Sequence, residues 1–195
     1  GGVHVSKNVK IGMFCKFGKG VSIGKNAVIS DSVDLYLTKI SSGVKIEKNC
    51  RISNAIISSD TIIHRGCIIS GSEDNKLKIG KNCTIGYYSI LDGSHGLVIG
   101  NYVHLSSPSV GIWTHSSIKN ALNSVNFSDS AYYVNQITGK VSINDNCWIG
   151  GKVTIYPDVV LGSKCVVLPN SVVNKSAESN QTIGGIPAVS VSINK

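Results

Sequence analysis

The side chains of this sequence best suited to moving a proton near neutral pH are its histidines, His4, His64, His95, His104 and His115. A neutral imidazole accepts a proton from an attacking hydroxyl more readily than any other side chain at that pH. His115 stands in the run VGIWTHSS, two residues after Trp113, and His95 closes the bend Asp92-Gly-Ser-His95. Six cysteines could instead announce disulfides, a metal site or a nucleophile. Cys15, Cys50, Cys67, Cys83, Cys147 and Cys165 each lie two residues before an aliphatic position where other segments place Val, Ala, Ser or Thr. No Cys-x-x-Cys occurs and the spacing matches no zinc pattern, so they read as reduced thiols packed among small core residues.

What must position these groups is a repeat of six. Ile143, Ile149, Ile155, Leu161, Val167 and Val173 follow one another at intervals of six, and the same anchors run from Val5 through Leu105 with few breaks. A step of six leaves the face of a helix but suits short strands separated by tight bends. Gly20, Asn26, Gly43, Asn49, Gly66, Asn82, Asn146 and Asn170 sit three residues before an anchor, and these residue types tolerate the left-handed backbone such bends need. Taken in threes, the anchors give eight coils of a triangular parallel β-solenoid: 5/11/17, 23/29/35, 40/46/52, 57/63/69, 79/85/91, 99/105/111, 143/149/155 and 161/167/173. Gly111 is the weak member. On this assignment every departure from six falls between a third face and the next first face. The segment 70–76, the bend at Asp92–His95 and the long loop 112–140 then leave one ridge of the prism, with Tyr156-Pro157-Asp158 one coil further on. Asp92 and His95 come one coil below the base of the His115 loop. Asp92 is thereby the best acidic partner for fixing the imidazole tautomer, and His95 orients that ring, touches a substrate or is an ordinary bend residue. Trp113 stacks on a substrate ring or pins the loop to the prism. His4, His64 and His104 alternate outward beside anchors and read as solvated strand residues.

The organisation expected is one all-β domain, 3–175 with the active-site loop 112–140 inserted, and a capping segment 176–195; Gly1-Gly2 stand outside this reading. No apolar run is long enough to span a bilayer and the opening VHVSKNVKIG has no signal-peptide core, which points to a soluble, cytoplasmic protein. The net charge of +8 favours an anionic partner. Its lysines are scattered singly rather than striped with Arg and aromatics, which argues against nucleic acid and for a phosphorylated small molecule or acidic glycan.

The hexapeptide pattern, the interrupting loop with its His, the run NCWIGGKVTIYPDVVLGSKCVVLPNSVVNKS and the closing IGGIPA together resemble the left-handed β-helix acyltransferases, above all the sugar O-acetyltransferases of the galactoside and maltose acetyltransferase type. The resemblance implies a homotrimer with acetyl-CoA in clefts between prisms, His115 as general base, and transfer of acetyl to a saccharide hydroxyl, in capsule or lipopolysaccharide by the family's usual employment. It implies that Trp148, Gly150 and Gly151 line the cofactor cleft, with backbone N–H groups near the two glycines facing the developing oxyanion, and that Asn174 and Lys175 flank the cofactor. No metal is required. The closing motif departs from the pattern, since Val189 stands where Lys or Arg usually follows Gly-x-Pro-Ala, and Lys164, Lys175 or Lys195 would have to supply the phosphate contact. Three rivals remain at this stage: N-acetylation of a nucleotide-linked amino sugar, a non-catalytic solenoid module, and a carbonic anhydrase holding zinc with His95, His104 and His115.

Overall fold

A six-residue step closes into a three-sided coil only if each corner turns sharply, and the corners turn through left-handed backbone. All eight Gly and Asn positions expected to do so have positive φ, between 55° at Asn82 and 74° at Gly66. The same conformation recurs three residues before other anchors at residues of every kind, including Ser32, Leu37, Tyr88, Lys152 and Lys164. Position in the coil imposes it there, at a cost per residue that stacking of the anchors offsets.

The computed structural model describes residues 2–129, 131–134 and 136–192 and forms a parallel β-solenoid. The first face has eight strands, from His4–Val5 to Val160–Leu161. The second runs from Lys10–Ile11 to Thr182–Gly185 with Ala188–Ser190 folded back antiparallel, and the third has eight strands, from Lys16–Phe17 to Val172–Val173. Anchors stack in register coil upon coil, as in Ile57↔Ile79, Ile63↔Ile85 and Ile69↔Leu91. From Ile23 upward they are buried, and each aliphatic chain removed from water contributes roughly 1.5–3 kcal/mol. Val5 and Ile11, with a coil on one side only, are still about half exposed, at 42% and 44%. Past Val173 the path continues, Ala177 bridging Leu161 and Thr182–Gly185 pairing with Val166–Val167, to make an incomplete ninth coil. No helix among the described residues is long and apolar enough to cross a membrane.

One anchor differs from the expectation. Ile112, not Gly111, is the buried third-face residue of the sixth coil, opposite Leu91 below and Ile155 above. Ser109, three residues before it, has the left-handed φ of 58° that marks every such corner. The step from Leu105 is therefore seven, so one irregular step lies between the second and third faces. The extra residue is taken up at Ser107–Pro108, which leans on the next coil. Pro108 O accepts a hydrogen bond from Lys152 N at 2.7 Å, and a Cβ on Gly151 would come within 2.4 Å of Ser107 O. The long excursions do leave the ridge between third and first faces: the segment after Ile69, the bend after Leu91 and the loop after Ile112.

Candidate functional site

That ridge brings three consecutive coils together. Ser70 and Gly71 pair in register with Asp92 and Gly93, and Ser72 Oγ donates to Ser94 O at 3.0 Å, so the lower excursion props the bend above it. The bend in turn holds the base of the long loop: His95 N donates to Thr114 Oγ1 at 3.0 Å, and Thr114 is wholly buried. His115–Ser116 pairs antiparallel with Ile137–Thr138, and Gly139 N donates to Thr114 O at 3.0 Å, closing the neck of the loop. Beyond the neck lie two short helices, α1 (Ile118–Leu122) and α2 (Ala131–Val134), tied by Asn120 Nδ2 donating to Tyr132 O. His115 thus stands on a short strand at the neck rather than on the free tip.

Asp92 is the centre of the arrangement. Its Oδ2 lies 2.7 Å from His115 Nδ1 and 3.4 Å from Thr114 Oγ1, and its Oδ1 accepts from Ser94 N at 3.1 Å. The side chain of Asp92 is 13% exposed and that of His115 is 35% exposed, so the carboxylate is sheltered while the ring reaches solvent. A carboxylate only accepts, so the proton of the short bond sits on His115 Nδ1 and the lone pair is at Nε2, which bonds to no described residue. Ser94 Oγ lies 3.2 Å from the same Nδ1 and 3.1 Å from His95 Nδ1. With His115 Nδ1 already a donor, Ser94 Oγ is free to give its hydrogen to His95 Nδ1, the assignment that places the His95 hydrogen on Nε2. Two rings with centroids 5.7 Å apart then present a lone pair on one and an N–H on the other.

The His115 ring borders a cavity of about 270 Å³ lined also by Trp113, Ser116, Ser117, Thr154, Tyr156 and Pro157. The Trp113 indole lies over Gly111, where a Cβ would sit 3.2 Å from Nε1. Aromatic faces and hydroxyls around an imidazole make a wall suited to a flat ligand with an apolar face and a polar edge.

Not every residue singled out in the sequence gathers here. Asp92, His95, Trp113, His115 and Tyr156 do. Asn174 and Lys175 are exposed on the same ridge two coils above the loop but do not line this cavity. Trp148 projects from the second face, opposite the ridge, between His104 and Val166. A second cavity of about 240 Å³ lies beside it, bounded by Pro108, Trp148, Gly151, Lys152, Pro169 and Asn170. Gly150 N donates to Val167 O at 2.8 Å, and a Cβ there would lie 2.5 Å from Pro169 N, so this glycine is committed to coil stacking and its N–H is not free for an oxyanion. His104, on the second face, is likewise held away from His95 and His115, so the three do not form a zinc set. Lys164 stands at the corner between first and second faces, and Lys195 lies outside the described residues. Ser94 and Thr114 were not singled out from the sequence. Thr114's place beside His115, two residues after the buried Ile112, is the one local signal for it.

The thiols form a ladder instead of a site. Cys15, Cys50, Cys67, Cys83, Cys147 and Cys165 each donate Sγ to a carbonyl of the coil above, at 3.0 to 3.1 Å. Burial pushes the Cys147 thiol up to about 11 and raises Cys83 and Cys165, the reverse of an activated nucleophile.

Two family models match: residues 1–108 match the GMPPB C-terminal domain, and residues 140–175 match the bacterial transferase hexapeptide (six repeats). Among curated proteins, the bifunctional protein GlmU of Zymomonas mobilis is 30% identical over 93 residues, 46% of this chain and 21% of that protein, so the chain spans about a fifth of that relative's length. Among solved structures, the UDP-N-acetylglucosamine acyltransferase of Francisella novicida superposes with a TM-score of 0.78 at 18% identity, over 98% of this chain and 67% of that one. The N-acyltransferase AntD of Bacillus cereus, solved with dTDP-4-amino-4,6-dideoxyglucose and coenzyme A, gives 0.55 at 20% identity, over 94% and 85%. At these identities the likeness to solved structures is one of fold.

Proposed function

We propose, for a chain that belongs to the hexapeptide-repeat family of left-handed β-helix acyltransferases and whose first half is of the GMPPB C-terminal domain type, that it moves an acetyl group from acetyl-CoA to a hydroxyl of a saccharide, with His115 as general base. The observation that carries this reading is the sheltered Asp92 bonded at 2.7 Å to the His115 ring, at the edge of a cavity with aromatic and hydroxyl walls.

The acceptor oxygen attacks the thioester carbonyl carbon while its proton passes to His115 Nε2. The C–S bond then breaks, and the coenzyme thiolate leaves with that proton. Asp92 holds the imidazole in the tautomer that has Nε2 free and favours the imidazolium that forms. His95, protonated at Nε2, donates to the acceptor, and Trp113 and Tyr156 provide faces for a sugar ring. Trp148 and the cavity at Gly151 face away from the ridge within one chain, so in a homotrimer a neighbouring copy would bring its own Trp148 side toward the His115 cavity and complete the coenzyme cleft.

The test is coenzyme A release from acetyl-CoA across a saccharide panel, with wild type and His115→Ala in parallel. Loss of about 10²-fold or more supports general-base catalysis, and equal rates refute the assignment. Locating the new acetyl group by NMR separates transfer to oxygen from transfer to the nitrogen of a nucleotide-linked amino sugar. A solenoid serving only as a structural module would release no coenzyme A at all.

A further inference from the structure

Beside the His115 cavity, on the other side of His95, lies a further concavity whose lysines the mechanism does not use. It has a volume of about 200 Å³, and Lys76, Lys78, Lys140, Asp74, His95 and Gly96 contribute to its walls. The three lysines come from separate elements. Lys76 ends the excursion after the third face, Lys78 projects outward from the first-face strand Leu77–Ile79, and Lys140 ends the long loop on its way back to the prism. Lys140 is laid across Gly96, whose φ of 103° suits glycine and where a Cβ would stand 3.3 Å from Lys140 Cγ.

The charge count decides what the concavity prefers. Three lysines and one aspartate line it, and like charges gathered at a small concavity repel one another unless an anion joins them. His95 is common to both sites: it lines the lysine cavity, and its ring lies 5.7 Å from that of His115. A ligand whose anionic group occupied the lysines would reach past His95 to present a hydroxyl at His115.

We infer that Lys76, Lys78 and Lys140 form an anion subsite that selects acceptors carrying a phosphate or carboxylate group and registers them against the His115 base. The inference rests on the reading of this ridge as the acceptor site. It narrows the saccharide from any sugar to an acidic one, either a phosphorylated sugar or a sugar acid.

Titration of the imidazole-labelled protein by NMR tests it without an acyl donor. The probes are glucose 1-phosphate, glucuronate and the uncharged methyl glucoside. At least one anionic probe is expected to shift the His95 signals, to bind more weakly as ionic strength rises, and to lose about tenfold or more in affinity in the Lys78→Gln/Lys140→Gln double variant. Response to glucose 1-phosphate alone identifies a phosphorylated acceptor, and response to glucuronate alone a sugar acid. Both lysines are exposed, and circular dichroism establishes that the double variant keeps the solenoid; Lys76→Gln is the independent second variant. The inference is overturned if neither anion registers at His95, if methyl glucoside shifts it equally, or if the double variant binds the anion as wild type does. Because no acetyl-CoA is present, anion binding can succeed in a chain whose His115→Ala variant loses no transferase activity. Equally, transfer to neutral sugars can persist while this subsite fails.

Discussion

Among the described residues the solenoid carries two carboxylate–imidazole pairs, and they stand in different surroundings. Glu47 Oε1 lies 3.0 Å from His64 Nδ1, close to the 2.7 Å of Asp92 and His115. In both, the carboxylate holds Nδ1 from one coil away. The surroundings differ. Glu47 is 39% exposed against 13% for Asp92, and its second oxygen accepts from Arg65 N. The His64 ring is covered by Tyr87, centroids 4.6 Å apart, with the Arg65 guanidinium over the same tyrosine. It stands at the corner between the second and third faces, where the concavity that Glu47 borders is walled by ordinary corner residues, Ser30, Asp31, Lys48 and Arg65, and not by excursions. His115 stands where three excursions stack, beside a cavity. An exposed pair screened by water contributes at most about 1 kcal/mol to stability. A sheltered carboxylate beside a more open ring fixes a proton's place on Nδ1 and leaves the lone pair at Nε2.

The contrast breaks or holds first at the histidines. His115→Ala should lower acyl transfer by about 10²–10⁴-fold, the range of general-base catalysis. His64→Ala should leave transfer unchanged and lower the unfolding free energy by about 1 kcal/mol or less through the lost ring contact. Comparable losses in both variants would mean that the pairs are not functionally distinct. The carboxylates come next. In Asp92→Asn the amide turns a donor toward Nδ1 and favours the tautomer with its hydrogen on Nε2, removing the base while preserving the shape. A loss of at least about 10²-fold is expected, against none for Glu47→Gln. Steady-state rates with circular dichroism on all four variants separate chemistry from folding.

The period of six made the prism legible in the sequence because anchor and corner residues recur locally, and all eight Gly and Asn corners have the expected backbone. Asp92, His95 and His115 could be brought to one ridge by counting alone. Ile112 was obscured because one extra residue at Ser107–Pro108 moves the anchor off a position that Gly111 fills only weakly. The commitment of Gly150 N to Val167 depends on how one coil sits on the next, which no local pattern records. Lysines that look scattered along the chain converge at Lys76, Lys78 and Lys140 because two excursions return to the same face. Thr114 stayed hidden for the same reason, since its hydroxyl acts on the coil below, and Ser94 did so because its hydroxyl links His95 of its own bend to His115 of the next coil.

Those two residues sharpen the comparison at smaller scale, for the Glu47–His64 pair has no counterpart to them. Thr114→Val removes the hydroxyl that accepts from His95 N and donates to Asp92, leaving a half-buried N–H without its partner. Chemical denaturation should register a loss of about 1–3 kcal/mol, and transfer should fall roughly tenfold as the bend loosens. Ser94→Ala should do least. Asp92 alone still keeps the hydrogen of His115 on Nδ1, so the base persists. What goes is the hydroxyl that fixes the hydrogen of His95 on Nε2, a single neutral hydrogen bond contributing about 0.5–1.5 kcal/mol. Transfer should therefore drop by about tenfold or less. In nitrogen-15 spectra of the imidazoles His95 should shift toward a mixture of tautomers while His115 keeps its wild-type pattern. If Ser94→Ala instead moved the His115 signals as far as Asp92→Asn does, the hydroxyl and not the carboxylate would be setting the base, and the shelter of Asp92 would no longer explain why one pair is reactive and the other is not.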